Sequence, residues 1–91
     1  MGIRRKWYTK RFTKENIDQV TNVSGVYLLM NRAKSVTYIG SSTNLKTRLI
    51  EYLRTGKIPN VHYFMCYQLS GKAEAKRVKA KMISQYQPYY N

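Results

Sequence analysis

Acidic residues are scarce in this 91-residue chain: Glu15, Asp18, Glu51 and Glu74 are the only carboxylate side chains. Any chemistry that needs an acidic catalyst or a hard oxygen ligand must draw on these four. Cys66 is the only cysteine, so no disulfide forms within the chain. That suits a reducing, intracellular setting such as the cytoplasm or nucleoid. With His62 the only histidine, a structural zinc site of four nitrogen and sulfur ligands is excluded. There is also no apolar run long enough to span a bilayer and no signal-peptide pattern, so no membrane association is expected.

Against this scarcity stand seventeen Lys and Arg, which give a net charge of +13. They are spread along the chain, as on a folded basic surface rather than a tail. Such a surface binds polyanions by releasing their counterions, and DNA is the first expected partner. An RNA-associated basic protein remains an alternative. Apolar residues make up 43%, enough for a single small core. Nine tyrosines can serve either that core or a wet binding surface. The sequence leaves oligomeric state open.

Residues 1–23 read as a basic N-terminal extension and residues 24–91 as the domain proper. Trp7, Tyr8 and Phe12 show no clear period and could pack or stack on bases. Thr13 is placed to cap a short helix reaching about Val20, with Ile17 and Val20 inward. Val26–Met30 and Val36–Ile39 read as strands joined by the polar turn 31–35, with Gly40-Ser41-Ser42 ending the second. A helix follows from about Thr43 to Arg54, with Leu45, Leu49 and Leu53 on one face. Val61–Leu69 reads as a third strand, with Val61, Tyr63, Met65, Tyr67 and Leu69 on one face. Ala73–Tyr86 reads as the last helix. The expected fold is α+β, a three-stranded antiparallel sheet flanked by helices.

The last helix carries an anomaly. With Ala75 at zero and about 100° per residue, Val78, Met82, Ile83 and Tyr86 fall within an arc from about −60° to +80°. Lys79 falls inside that arc. A charge aimed at a core is costly unless it is paired or reaches water along its stem. Either Lys79 does this at the domain edge, or its position looks into a polar pocket.

An ordered series of motifs resembles the GIY-YIG endonuclease family. Gly25-Val26-Tyr27 is followed, after ten residues, by Tyr38-Ile39-Gly40 and then Ser41-Ser42-Thr43-Asn44-Leu45. Arg48 stands eight residues after Gly40 and Tyr52 four further on. Met82-Ile83, Tyr86, Pro88 and Tyr90-Asn91 close the series. The resemblance implies hydrolysis of a DNA phosphodiester with one divalent cation, Mg²⁺ or Mn²⁺. It gives Tyr27 the task of helping to deprotonate water, and Tyr38 that of bonding the phosphate or orienting that water. Arg48 would clamp phosphate oxygens, Tyr52 would support the site, and Gly25, Gly40 and Asn91 would be structural. Taken singly, the tyrosines could be ordinary packing residues and Arg48 a solvated one. The family's metal ligand is a glutamate three residues before a Leu-Ile-like pair, and here that position is Lys79. An ammonium cannot ligate Mg²⁺. The resemblance therefore implies an inactive or impaired nuclease with no ion bound, or a non-catalytic nucleic-acid-binding protein on the same fold. Lys79 could be an introduced change or a natural one.

Overall fold

Gly25–Met30 (β2) is apolar at nearly every position and buried along its whole length, the pattern of a strand covered on both faces. Val36–Ser42 (β3) pairs with it on one side and Tyr63–Gln68 (β4) on the other, both antiparallel. Arg5–Arg11 (β1) pairs antiparallel with β4, giving one sheet in the order β1-β4-β2-β3. The computed structural model describes residues 5–91.

The sheet therefore has four strands rather than the expected three. The additional strand comes from the segment read as an extension, whose first four residues lie outside the described region. It gives no periodic signal because only Trp7 of its seven residues is buried, and a bulge between Trp7 and Lys10 shifts the register. Its Lys and Arg residues are of the type that discourages further pairing at a sheet edge.

Two layers of helix cover the sheet. Lys14–Asp18 (α1) and Leu45–Thr55 (α2) contribute Ile17, Leu45 and Leu49 to one face, packed with Trp7, Tyr27, Leu29, Phe64 and Cys66. Lys72–Tyr86 (α3) covers the other face, where Ala75 and Val78 meet Val26, Leu28, Met30 and Ile39. The alternation of β2 side chains between these two cores is the period of a pleated strand. Thr13 caps α1 as expected, its hydroxyl accepting from the Asn16 N–H at 3.3 Å.

Several boundaries differ from the sequence reading. Gly40, Ser41 and Ser42 do not end the strand early but pair with Tyr27, Val26 and Gly25. Helix α2 starts at Leu45, and Val61 packs on the α1–α2 side rather than with Tyr63, Met65 and Tyr67. Tyr86 is 44% exposed rather than part of the buried face of α3. Among the described residues, no helix is long and apolar enough to cross a membrane.

Candidate active site

The register of the sheet places Trp7, Cys66, Tyr27 and Gly40 in one row across the four strands. The Tyr27 ring lies across Gly40, and a Cβ at Gly40 would overlap its hydroxyl and Cζ. Glycine at this position is what lets the Tyr27 ring lie flat over the neighbouring strand. Gly25 serves a parallel need: a Cβ there would overlap the Tyr67 carbonyl oxygen and stand 2.8 Å from Leu45 Cδ1. The opening of β2 can thus sit tight under the start of α2.

Tyr38 projects from β3 and Tyr52 from α2 onto the face that Tyr27 occupies, and both pack against that core. The three rings form a triangle with centroid separations of 5.7, 5.9 and 6.2 Å. The Tyr27 hydroxyl donates to the Tyr52 hydroxyl at 3.3 Å. Arg48 stands one helical turn before Tyr52, which puts its guanidinium on the same side of α2. Its Nε is 3.4 Å from Glu51 Oε1, and the two side chains are 47% and 54% exposed. So open a pair contributes about 0–1 kcal/mol, and it leaves the terminal guanidinium nitrogens to other partners.

The three phenols differ in acidity. Burial raises Tyr27 far above the ordinary tyrosine value, and its hydrogen bond with Tyr52 adds to this. Burial also raises Tyr38, again reinforced by Tyr52. For Tyr52 burial pulls upward but is outweighed by the hydrogen bond from Tyr27, the nearby Tyr38 hydroxyl and the Arg48 charge, so its acidity increases. Tyr27 is only 1% exposed. It is the most deeply buried of the three phenols, and its hydroxyl meets that of Tyr52. Tyr52 is the half-buried phenol whose phenolate is favoured. The i, i+4 spacing of Arg48 and Tyr52 accounts for only the smaller, electrostatic part of that shift.

Asn91 fastens the edge of this site. Its side chain accepts from the Ile39 N–H at 2.7 Å and donates to the Ile39 carbonyl at 3.0 Å. The Tyr90 N–H adds a bond to the Thr37 carbonyl at 2.8 Å. The last residues thereby satisfy the outer edge of β3 on both sides of Tyr38.

Lys79 is half-buried on α3, beside Val78 and three residues before Met82. Its helix belongs to the layer opposite the tyrosines. A cavity of about 360 Å³ opens beside Arg48, and its α3 wall is Lys72, Ala75 and Lys76 rather than Lys79. The sequence reading missed Lys72 and Lys76, although with Lys79 they recur at helical spacing along one side of α3.

Of the four carboxylates, Glu15 lies exposed in the first turn of α1, away from this site. Asp18 pairs with Lys14 at 3.0 Å. Glu74 accepts from the Ser70 hydroxyl at 2.6 Å and the Ser70 N–H at 3.0 Å, which closes the start of α3. Those two bonds hold its carboxyl below the usual glutamate value. Among the described residues no cluster of three His, Cys, Asp or Glu could hold a metal ion. Glu51 is the one carboxylate lining the cavity, and Arg48 already occupies it. At position 79 the side chain ends in an ammonium, which offers no oxygen ligand to a divalent cation.

Residues 23–91 match the family described as the UvrC-like GIY-YIG domain. UvrABC system protein C of Mycoplasma capricolum is 29% identical over 85 residues, covering 86% of this chain and 15% of that protein. The corresponding protein of Mesoplasma florum is 30% identical over 88 residues, covering 86% of this chain and 14% of its own length. The chain thus spans about 15% of the length of the curated relatives it matches. The GIY-YIG N-terminal endonuclease domain of UvrC from Thermotoga maritima, solved with magnesium as its catalytic divalent cation, aligns with a TM-score of 0.74 at 25% identity. That alignment covers 86% of this chain and 93% of the other.

Proposed function

The chain belongs to the UvrC-like GIY-YIG domain family, and from this we propose that it engages DNA phosphodiesters at the surface formed by Tyr38, Arg48 and Tyr52, with cleavage impaired by Lys79. The observation that carries the reading is the convergence of three strand and helix tyrosines with a half-exposed arginine on one face of the sheet. A guanidinium fork matches the oxygens of a phosphodiester, and phenol hydroxyls can donate to the same group. Tyr27, buried and neutral, orients Tyr52 through their hydroxyl contact. Asn91 and Gly40 hold the strand and ring in place.

Lys79 stands where the resemblance places a metal-binding glutamate, on α3 about one turn beyond Lys76 of the cavity wall, and the other carboxylates are engaged or distant. No hydrolytic step through a metal is assigned to this chain. What remains is binding: the net charge of +13 supplies a sequence-tolerant attraction to the DNA backbone.

The test is anisotropy titration of a labelled duplex at several salt concentrations, with the chain and with its Arg48→Ala variant. Log affinity should fall linearly with log salt, by about 0.9 per phosphate neutralised. Arg48→Ala should weaken binding several-fold and lower the slope by about one. Affinity independent of salt would remove the basic-surface reading. An unchanged slope in the variant would remove Arg48 from the phosphate contacts.

A further inference from the structure

We infer that the cavity between α2 and α3 is a second phosphate subsite, holding the DNA phosphodiester that neighbours the one at Arg48 and the tyrosines. The inference rests on the DNA-binding reading above and adds a place on the protein to it. The cavity, of about 360 Å³, is walled by Arg48 and Glu51 on α2, Lys72 and Lys76 on α3, Ser41 near the end of β3 and Thr43 just after it. Three cations thus share it with one carboxylate, and that carboxylate is paired with Arg48 at 3.4 Å. The ion pairs among the described residues are Lys14–Asp18 and Arg48–Glu51, so Lys72 and Lys76 have no acidic partner there. Unpaired like charges around a concave site repel one another until an anion enters, and a concave wall focuses their field.

The end of α2 is not what binds. Its Leu45 N–H donates to the Val23 carbonyl at 3.0 Å, and its Thr47 N–H to Asn22 Oδ1 at 3.2 Å. With these backbone donors engaged, the anion is held by side chains from both helices. Lysine suits this: a point charge on a flexible stem follows a phosphate without demanding its orientation. Arg48 lines the cavity and stands by Tyr52, so one residue spans both subsites. A backbone running through them would lie along the gap between α2 and α3.

The experiment compares Lys72→Ala/Lys76→Ala with Lys10→Ala/Lys34→Ala, a control pair with the same charge loss away from the cavity. Both are titrated against short duplexes in which single phosphates are replaced, position by position, by neutral methylphosphonate. Circular dichroism confirms that each variant is folded. In the unaltered chain one position beside the most sensitive one should lower affinity about tenfold, with loss of one charged contact. In the cavity variant that position should become silent, while the control variant retains it. The same scan in the cavity variant and the unaltered chain would overturn the subsite. So would equal losses from the two lysine pairs. Absence of salt-dependent DNA binding by the unaltered chain would remove the underlying reading as well, which keeps the two failures apart.

Discussion

Tyr52 is the one of the three clustered phenols whose acidity is increased, while burial pushes Tyr27 and Tyr38 toward the neutral form. Tyr27 and Tyr38 have raised values in the folded chain. The stability they contribute is whole below about pH 10, the ordinary tyrosine value, and is lost as pH rises through the folded values. Tyr52 has a lowered value, so its contribution grows as pH climbs through that value and is complete above the unfolded one. Alkaline titration of tyrosinate absorbance should show an early phenol that Tyr52→Phe removes, with Tyr27 titrating only as the fold is lost. A Tyr52→Phe curve that overlays the parent would contradict the assignment. Gly40 and Asn91 give steric and hydrogen-bonding counterparts. Gly40→Ala drives a methyl into the Tyr27 ring and should cost about 1–3 kcal/mol or more by overpacking. Asn91→Ala leaves both Ile39 backbone groups without their partner and should cost about 1–3 kcal/mol. Thermal denaturation measures both, and a Gly40→Ala chain with an unchanged melting temperature would mean that the ring can move aside.

Among the elements, β1 contributes most that the sequence did not disclose. Helices α2 and α3, strand β2 and the capped α1 were legible because burial on a fixed face imposes a period. Strand β1 shows none, since an edge strand with a bulge buries one side chain and leaves the rest to water. The ring pair Tyr27–Tyr52 was legible only through family resemblance, and the cavity lysines not at all, because spacing along one helix says nothing about which helix faces it. Trp7 should prove the anchor of β1: Trp7→Ala should cost about 3–5 kcal/mol. Trp7 Nε1 is buried without a hydrogen-bond partner. Trp7→Phe therefore removes an unsatisfied donor along with some area and should cost much less than Trp7→Ala. Chemical denaturation of the two variants separates these outcomes, and equal losses would show that the indole is not packed as described. Cys66, opposite Trp7, has its thiol raised by burial and should resist alkylation in the parent. It should react in Trp7→Ala.

At the scale of the whole molecule, the chain joins a net charge of +13 to the fold of the UvrC-like GIY-YIG domain family, with a lysine at position 79. The positive charge is dispersed over both helical layers, so no single lysine should decide affinity, whereas a single position should decide cleavage. That asymmetry makes Lys79→Glu the most direct test. Supercoiled plasmid is incubated with the parent chain and with Lys79→Glu, purified identically, in Mg²⁺, in Mn²⁺ and in EDTA, after both have been shown to fold and to bind DNA. A carboxylate at position 79 supplies one hard oxygen ligand, and waters can complete an octahedral shell. The account predicts nicking by Lys79→Glu in either metal, abolished by EDTA and absent from the parent. A Lys79→Glu chain that folds, binds DNA and leaves the plasmid intact with both metals, or a parent chain that already nicks it, would contradict the account.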